Sequence, residues 1–232
     1  MSQIPIWILT LSLTMTVALF WINSRAARQR LLRSQALDLA LWMMIGAVLG
    51  GRLMHVLYEQ PQYYLDEPLA FFKIWQGGFV FYGGLFGAFG LGYWWSRRYE
   101  VAPLRWADFF APVAALTYAM GRLGCFFNGC CYGRYCELPW AIHERHPTQL
   151  YATIFELGTL MVLLWLERKP KRPLGLVFFT WLVLHGTGRL IMEYFRADDR
   201  GPMPLGLSIS IWISLILIGL GLFQLKKVRV SN

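Results

Sequence analysis

Apolar runs of about 20 residues, separated by short polar stretches, recur along the chain. Seven are predicted, at about 4–22, 36–58, 79–95, 107–128, 148–166, 175–195 and 207–225. At 1.5 Å of rise per residue, a helix of this length crosses the roughly 30 Å hydrocarbon layer of a bilayer. Backbone amides in lipid find no water, so apolar runs of this kind satisfy their hydrogen bonds as α-helices. The expectation is an all-α polytopic membrane protein: seven transmembrane helices in a single domain covering residues 1–232. No basic stretch precedes the first run and no small-residue cleavage site follows it, so it is expected to stay in the protein.

Polar residues interrupt these runs at one level. Arg52 lies 16 residues past the start of its run, Arg122 lies 15 and Arg189 lies 14. All three runs are expected to travel outward, which puts the arginines roughly 21–24 Å from the inner face, in the outer third of the bilayer. A charge in hydrocarbon is costly and by default marks a functional site. His55 and Glu59 follow Arg52 at i+3 and i+7, and His185, Arg189 and Glu193 are spaced four apart, so each set shares a helix face. Tyr82 opens the third run, and Gln149 and Tyr151 open the fifth, at the same level. The pattern predicts a cationic chamber open to the outer leaflet, where phospholipid headgroups lie. Arginine suits phosphate because its guanidinium donates two parallel hydrogen bonds. The competing reading is that each arginine pairs with a nearby glutamate, such as Glu193, and only ties helices together. Asp38 and Asp108, at the inner starts of their runs, are expected to be helix N-terminal charges.

Composition agrees. Hydrophobic residues make up 56% of the chain and charged residues only 15%, well below the roughly 25% of soluble domains. Mean hydropathy is +0.43. The net charge of +9 raises the question of nucleic acid, but its distribution answers it. One set of alternate loops carries 14 basic residues, the other set five. Basic loops stay inside, so the N-terminus is expected outside and the C-terminus inside, with no nucleic-acid partner. The glycines of the third run, among them Gly83 and Gly84, permit close helix packing. At chamber depth these two are also candidates for admitting a lipid or peptide backbone.

Five segments occur in order: GGRLMHVLY at 50–58, IWQGGFVFYGGLFGA at 74–88, GRLGCFFNGCCYGR at 121–134, HPTQLY at 146–151 and GRLIMEYFR at 188–196. Together they resemble the signature segments of the prolipoprotein diacylglyceryl transferase family, over about residues 46–200. The resemblance implies an enzyme of the bacterial plasma (inner) membrane. It would move the diacylglyceryl group of phosphatidylglycerol onto the lipobox cysteine of a prolipoprotein, releasing glycerol phosphate, with no cofactor and no metal. It implies that Arg122 and Arg189 hold the phosphate and that Glu193 orients Arg189. Arg52, Gly83, Gly84, Asn128, Gly133, His146 and Gln149 are implied substrate contacts, with Gly133 in a close-packed turn beneath the site. Tyr82 stands where many members carry a basic histidine.

The chain departs from the family pattern in places. Cys125 stands where an asparagine is usual and Cys130 where a glutamate is usual, and both become candidate catalytic residues. The first run has Ile8 and Leu9 after Trp7 in place of a Trp-Tyr-Gly group, and Leu205, Gly206 and Leu207 replace a Met-Gly-Gln group. The outer loop 129–147 is shorter than is usual. The runner-up function is therefore a non-catalytic lipid-binding or lipid-translocating relative on the same scaffold. Cys125, Cys130, Cys131 and Cys136 fall within 12 residues on the outer side. Three readings compete: disulfides, favoured outside the plasma membrane; reactive thiols, with Cys125 one helical turn from Arg122; and a metal site, although C-x4-C-C-x4-C is no usual zinc spacing.

Overall fold

A computed structural model describes residues 6–29, 31–73, 78–197 and 204–230; the side chains at 7, 81, 82, 204 and 228–230 lie outside that description. The long helices are α1 (Ile6–Arg28), α2 (Arg33–Met54), α4 (Phe81–Arg98), α5 (Pro103–Phe127), α6 (Thr148–Glu167), α7 (Leu176–Phe195) and α8 (Ile209–Val230). A short α3 (Pro61–Asp66) joins them. Among the described residues there is no strand, only three isolated β-bridges. Within the described residues, each of the seven predicted runs is mostly helical, and α1 extends six residues beyond the end expected for it. Large apolar side chains stand exposed along these helices, among them Phe20, Leu49, Ile154, Met161 and Phe223, as lipid-facing surfaces require.

Five of the helical segments are long and apolar enough to cross a membrane: Ile8–Arg28, Arg33–Glu59, Pro103–Phe127, Thr148–Glu167 and Ile209–Lys227. Helices α4 and α7 fall outside this group. The reason is compositional: α4 is rich in glycine and ends in Arg97 and Arg98, while α7 carries His185, Arg189 and Glu193. The side chains that make these segments chemically interesting also make them less apolar.

The chain forms two compact units, residues 19–103 and residues 1–18 with 104–232. In the first, α2 and α4 pack backbone to backbone. Small residues four apart form the contact: Gly46 and Gly50 on α2, Gly83 and Gly87 on α4. A Cβ on Gly87 would collide with the Gly46 carbonyl, and one on Gly83 with the Gly50 carbonyl. Without a hydrophobic drive between helices in lipid, such close approach supplies the dispersion contacts that hold them. Gly84 also faces α2, with its would-be Cβ 3.1 Å from the Ala47 carbonyl. Of the two readings open for Gly83 and Gly84, the geometry gives both a packing role.

Helix α2 ends at Met54 and continues as a π-helical turn, His55–Glu59. This alters the single α-helical face expected for Arg52, His55 and Glu59. The Arg52 guanidinium turns into the chain that follows, donating to the carbonyls of Ala70 (2.5 Å), Phe71 (3.0 Å) and Gly78 (3.1 Å). The Tyr64 and Phe79 rings flank it. His55 Nδ1 pairs with the Tyr64 hydroxyl at 3.0 Å. Arg52 is buried, and its charge is spread over peptide oxygens.

In the second unit α7 packs between α6 and α8. Gly188 meets the Phe155 ring of α6, and Gly186 meets the Ser214 carbonyl of α8. Asp108 is buried on α5, and its carboxylate accepts the amides of Gly175 and Phe178, both at 2.9 Å. Sequence position suggested that Asp108 served the start of its own helix. It answers instead the unpaired N–H groups at the start of α7, where Gly175 takes the left-handed conformation.

Adding a methyl group at Gly87 should therefore cost about 1–3 kcal/mol, the usual range for overpacking. Gly87→Ala is expected to lower the unfolding midpoint in detergent. Gly90→Ala, on the same helix but with nothing within 4 Å of its would-be Cβ, should leave the midpoint unchanged.

Candidate functional site

Tyr118 of α5 sits between two guanidinium groups. Arg122, one turn on, lies over the face of its ring at 4.9 Å. Arg189 of α7 directs Nη1 toward its hydroxyl at 3.5 Å. The phenol ring offers a negative face to one cation and an oxygen to the other. Arg189 also donates to Ser210. Its Nη2 is 4.0 Å from Glu193 Oε2, the outer limit of an ion pair. Glu193 is buried and accepts a 2.5 Å hydrogen bond from Ser208. Glu193 thus stands beside Arg189 at the limit of ion-pair distance, leaving the guanidinium incompletely neutralised. Among the described residues Arg122 forms no ion pair; its recorded partner is the Tyr118 ring.

A narrow crevice beside this group is lined by Tyr118, Glu156, His185, Gly188, Arg189 and Met192. Two of these, Glu156 and His185, form a pair that the sequence reading missed. Glu156 of α6 is 2% exposed, and in hydrocarbon such a carboxylate demands partners. It has two from α7. His185 Nδ1 is 3.2 Å from both carboxylate oxygens, and Trp181 donates Nε1 at 3.1 Å. Trp181 stacks on His185, and Tyr118 meets that imidazole edge to face. The carboxylate fixes the tautomer with the proton on Nδ1, leaving Nε2 as an acceptor. A signal for Glu156 was present: it is an acid in the interior of an apolar run. Tallying only buried cations concealed it.

The loop after α5 returns beneath the same helix end. Gly129 and Cys131 both take positive φ, +69° and +65°, which folds the chain back on α5. The Cys130 amide donates to the Cys125 carbonyl at 3.1 Å. The first turn of α6 then fixes the loop: Thr148 Oγ1 donates to the Cys131 carbonyl at 2.7 Å, and Gln149 Nε2 to the Cys130 carbonyl at 2.5 Å. The Gln149 amide nitrogen thereby holds the cysteine loop, while its Oε1 is buried without a hydrogen bond among the described residues. Cys125, Cys130 and Cys131 converge, with Sγ atoms all within 4.8 Å of one another. All four cysteines are free thiols. Cys131, outside the set expected to carry chemistry, has its thiol pulled below the ordinary range, first by hydrogen bonding from Cys125 and then from Cys130, with Arg122 and Arg196 adding positive potential. Burial pushes the Cys130 thiol up.

Gly133 lies in the close-packed turn anticipated for it. Its amide donates to the His146 carbonyl at 2.9 Å, and Arg134 donates to the Phe195 carbonyl at 2.7 Å. A Cβ there would stand 2.7 Å from both the Phe195 carbonyl oxygen and the His146 Cβ. This knot ties the loop to the start of α6 and the end of α7. His146 Nδ1 lies 3.3 Å from the Tyr151 hydroxyl, which also accepts from Trp140. Asn128 is exposed at the end of α5. The Tyr82 side chain lies outside the described residues. Arg52, Gly83 and Gly84 belong to the first compact unit, with the contacts given above.

Comparison with known proteins follows the same outline. A family model described as prolipoprotein diacylglyceryl transferase matches residues 2–226. The chain is 38% identical over 203 residues to a phosphatidylglycerol–prolipoprotein diacylglyceryl transferase of Idiomarina loihiensis, covering 83% of this chain and 76% of that protein. It is 35% identical over 229 residues to the protein of that name from Geobacter sulfurreducens, covering 92% and 87%. For the one from Nitrosomonas europaea the identity is 38% over 195 residues, covering 80% and 70%.

Truncating Glu156 would leave the buried Trp181 indole and the half-buried His185 imidazole without their acceptor. Glu156→Ala is expected to destabilise the protein by about 3 kcal/mol, as for a broken buried pair. Glu156→Gln keeps an acceptor for Trp181 and should lose clearly less. Unfolding by a denaturing detergent in mixed micelles measures both.

Proposed function

Since the chain belongs to the prolipoprotein diacylglyceryl transferase family, we propose that it transfers the diacylglyceryl group of phosphatidylglycerol to the lipobox cysteine of a prolipoprotein at the outer face of the bacterial plasma membrane. The observation that carries this reading is the pair of incompletely neutralised arginines around Tyr118. A guanidinium over an aromatic ring with no carboxylate partner keeps its forked donors for a ligand, and a phosphodiester fits that fork. The non-catalytic alternative has no comparable support, since the relatives are named as transferases.

In the reaction the acceptor sulfur forms a bond to the glyceryl carbon of the donor. The bond from that carbon to the phosphate oxygen breaks, and glycerol phosphate leaves. Negative charge grows on the leaving oxygen, and Arg122 and Arg189 are placed to hold it. Glu193 and Ser210 orient Arg189. The acceptor thiol must lose its proton. His185 lines the same pocket with Nε2 free to accept, and Glu156 stabilises the imidazolium that results. On this reading α7 supplies the base in a chain where Tyr82 occupies the position of a histidine that many members carry. Cys125 and Cys130 border the site at the end of α5, Gly133, His146 and Asn128 shape its outer rim, and the buried Gln149 holds the loop in place. Arg52, Gly83 and Gly84 act by positioning their own helices.

The topology that accompanies this reading has seven spans in one transmembrane domain, with the N-terminus outside and the C-terminus inside. The loop at 129–147 then lies at the outer face, beside the arginines. The basic residues of alternate loops support it. Reporter fusions after Ser34, Tyr135 and Asn232 should read inside, outside and inside; an outside signal at Asn232 would reverse the arrangement.

Arg122→Ala and Arg189→Ala are each expected to lower the turnover of phosphatidylglycerol with a lipobox peptide by about 10²–10³-fold, as for loss of a single oxyanion donor. Lysine at either position should recover little, because it lacks the fork. Full activity in either alanine variant would reduce the arginines to helix ties.

A further inference from the structure

The three thiols at the end of α5 have a geometry that diacylglyceryl transfer does not use. A reaction at a donor lipid and an acceptor cysteine needs no sulfur from the enzyme. Yet Cys125, Cys130 and Cys131 place three Sγ atoms within 4.8 Å of one another, with Cys130 and Cys131 3.4 Å apart. Three sulfurs at about 2.3 Å from one metal ion stand roughly 4 Å from each other. The cluster therefore needs only small side-chain rotations to close on an ion.

The surroundings hold the cluster in place. Cys125 is fixed by α5, whose last turns carry it. Cys130 and Cys131 are fixed by their backbone, through the Gln149 and Thr148 hydrogen bonds to their carbonyls. Gln149 is 1% exposed, so this anchor is shielded from water. The left-handed backbone at Cys131, unusual for a residue with a Cβ, is what turns its side chain back toward its neighbours. Cys136 takes no part; its amide pairs with the Glu144 carbonyl in the distal loop.

We propose that Cys125, Cys130 and Cys131 form a three-coordinate thiolate site for a soft, closed-shell metal ion of the Cu(I) class. Thiolates select such ions. Structural zinc sites require a fourth sulfur or nitrogen ligand, and among the described residues no histidine or fourth cysteine joins the cluster. Binding is a ligand exchange without electron transfer. Three S–H protons pass to solvent, three metal–sulfur bonds form, and the ion keeps its oxidation state. Arg122, beside the cluster, offsets part of the anionic charge that three thiolates bring to one cation. A metal here would lock the loop to α5 and α6, next to the proposed phosphate-binding arginines.

The test uses the full chain, purified in detergent under anaerobic, reducing conditions and then freed of reductant. Cu(I) is supplied from a coloured Cu(I) chelator. The expected result is transfer of one equivalent to the protein. Cysteine alkylation mapped by mass spectrometry should then show Cys125, Cys130 and Cys131 protected and Cys136 labelled. Cys125→Ser, Cys130→Ser and Cys131→Ser should each weaken Cu(I) binding by more than about 100-fold, beyond what loss of a supporting contact alone costs. Cys136→Ser should bind as the unmodified chain does. The protection pattern is read on the unmodified protein, so a variant that fails to fold does not decide the matter. No Cu(I) taken from the chelator, protection centred on other residues, or a disulfide within the trio in protein isolated without reductant would each overturn the proposal.

Discussion

Arg189 reaches the hydroxyl of Tyr118 while Arg122 covers its ring, and the second compact unit is arranged around this gathering of charge. A guanidinium in hydrocarbon must find partners, and a full carboxylate partner would cancel the charge that makes it useful. An aromatic ring and hydroxyl groups are an intermediate answer: they tolerate the cation without neutralising it. Glu193 is held back by its hydrogen bond to Ser208 and stands at the limit of ion-pair distance from Arg189.

Two buried charges, Arg52 and Asp108, are answered by backbone groups alone. Arg52 spends its donors on the carbonyls of a segment 18 to 26 residues away. Asp108 closes the start of α7 across 67 residues. Both set where a helix lies. Arg52 therefore differs from Arg122 and Arg189 in what its environment leaves it able to do, although all three stand at a similar position within their apolar runs. The glycine contact of α2 with α4 is likewise structural. Small residues admit a backbone, and the backbone they admit is that of the partner helix.

Glu156 is buried while its partner His185 is half-buried and lines a pocket. The carboxylate accepts from Trp181 and faces the imidazole, and it fixes which imidazole nitrogen carries the proton. The loop of the thiol trio is likewise held by side chains of α6.

The sequence by itself determined the helical segments, the membrane character and the family. Each of these is local or sums over local terms: hydropathy over a window, rise per residue, motif order. It also placed Glu193 beside Arg189, since residues four apart on one helix are neighbours. Only the tertiary structure decided which arginine stays available, that Glu156 meets His185 across 29 residues, that Asp108 serves another helix, and that three of the four cysteines converge while Cys136 does not. Those outcomes depend on which faces of separate helices meet and on where a left-handed turn sends the chain. A linear reading carries the inventory of charges and thiols; the packing of α5, α6 and α7 assigns their partners.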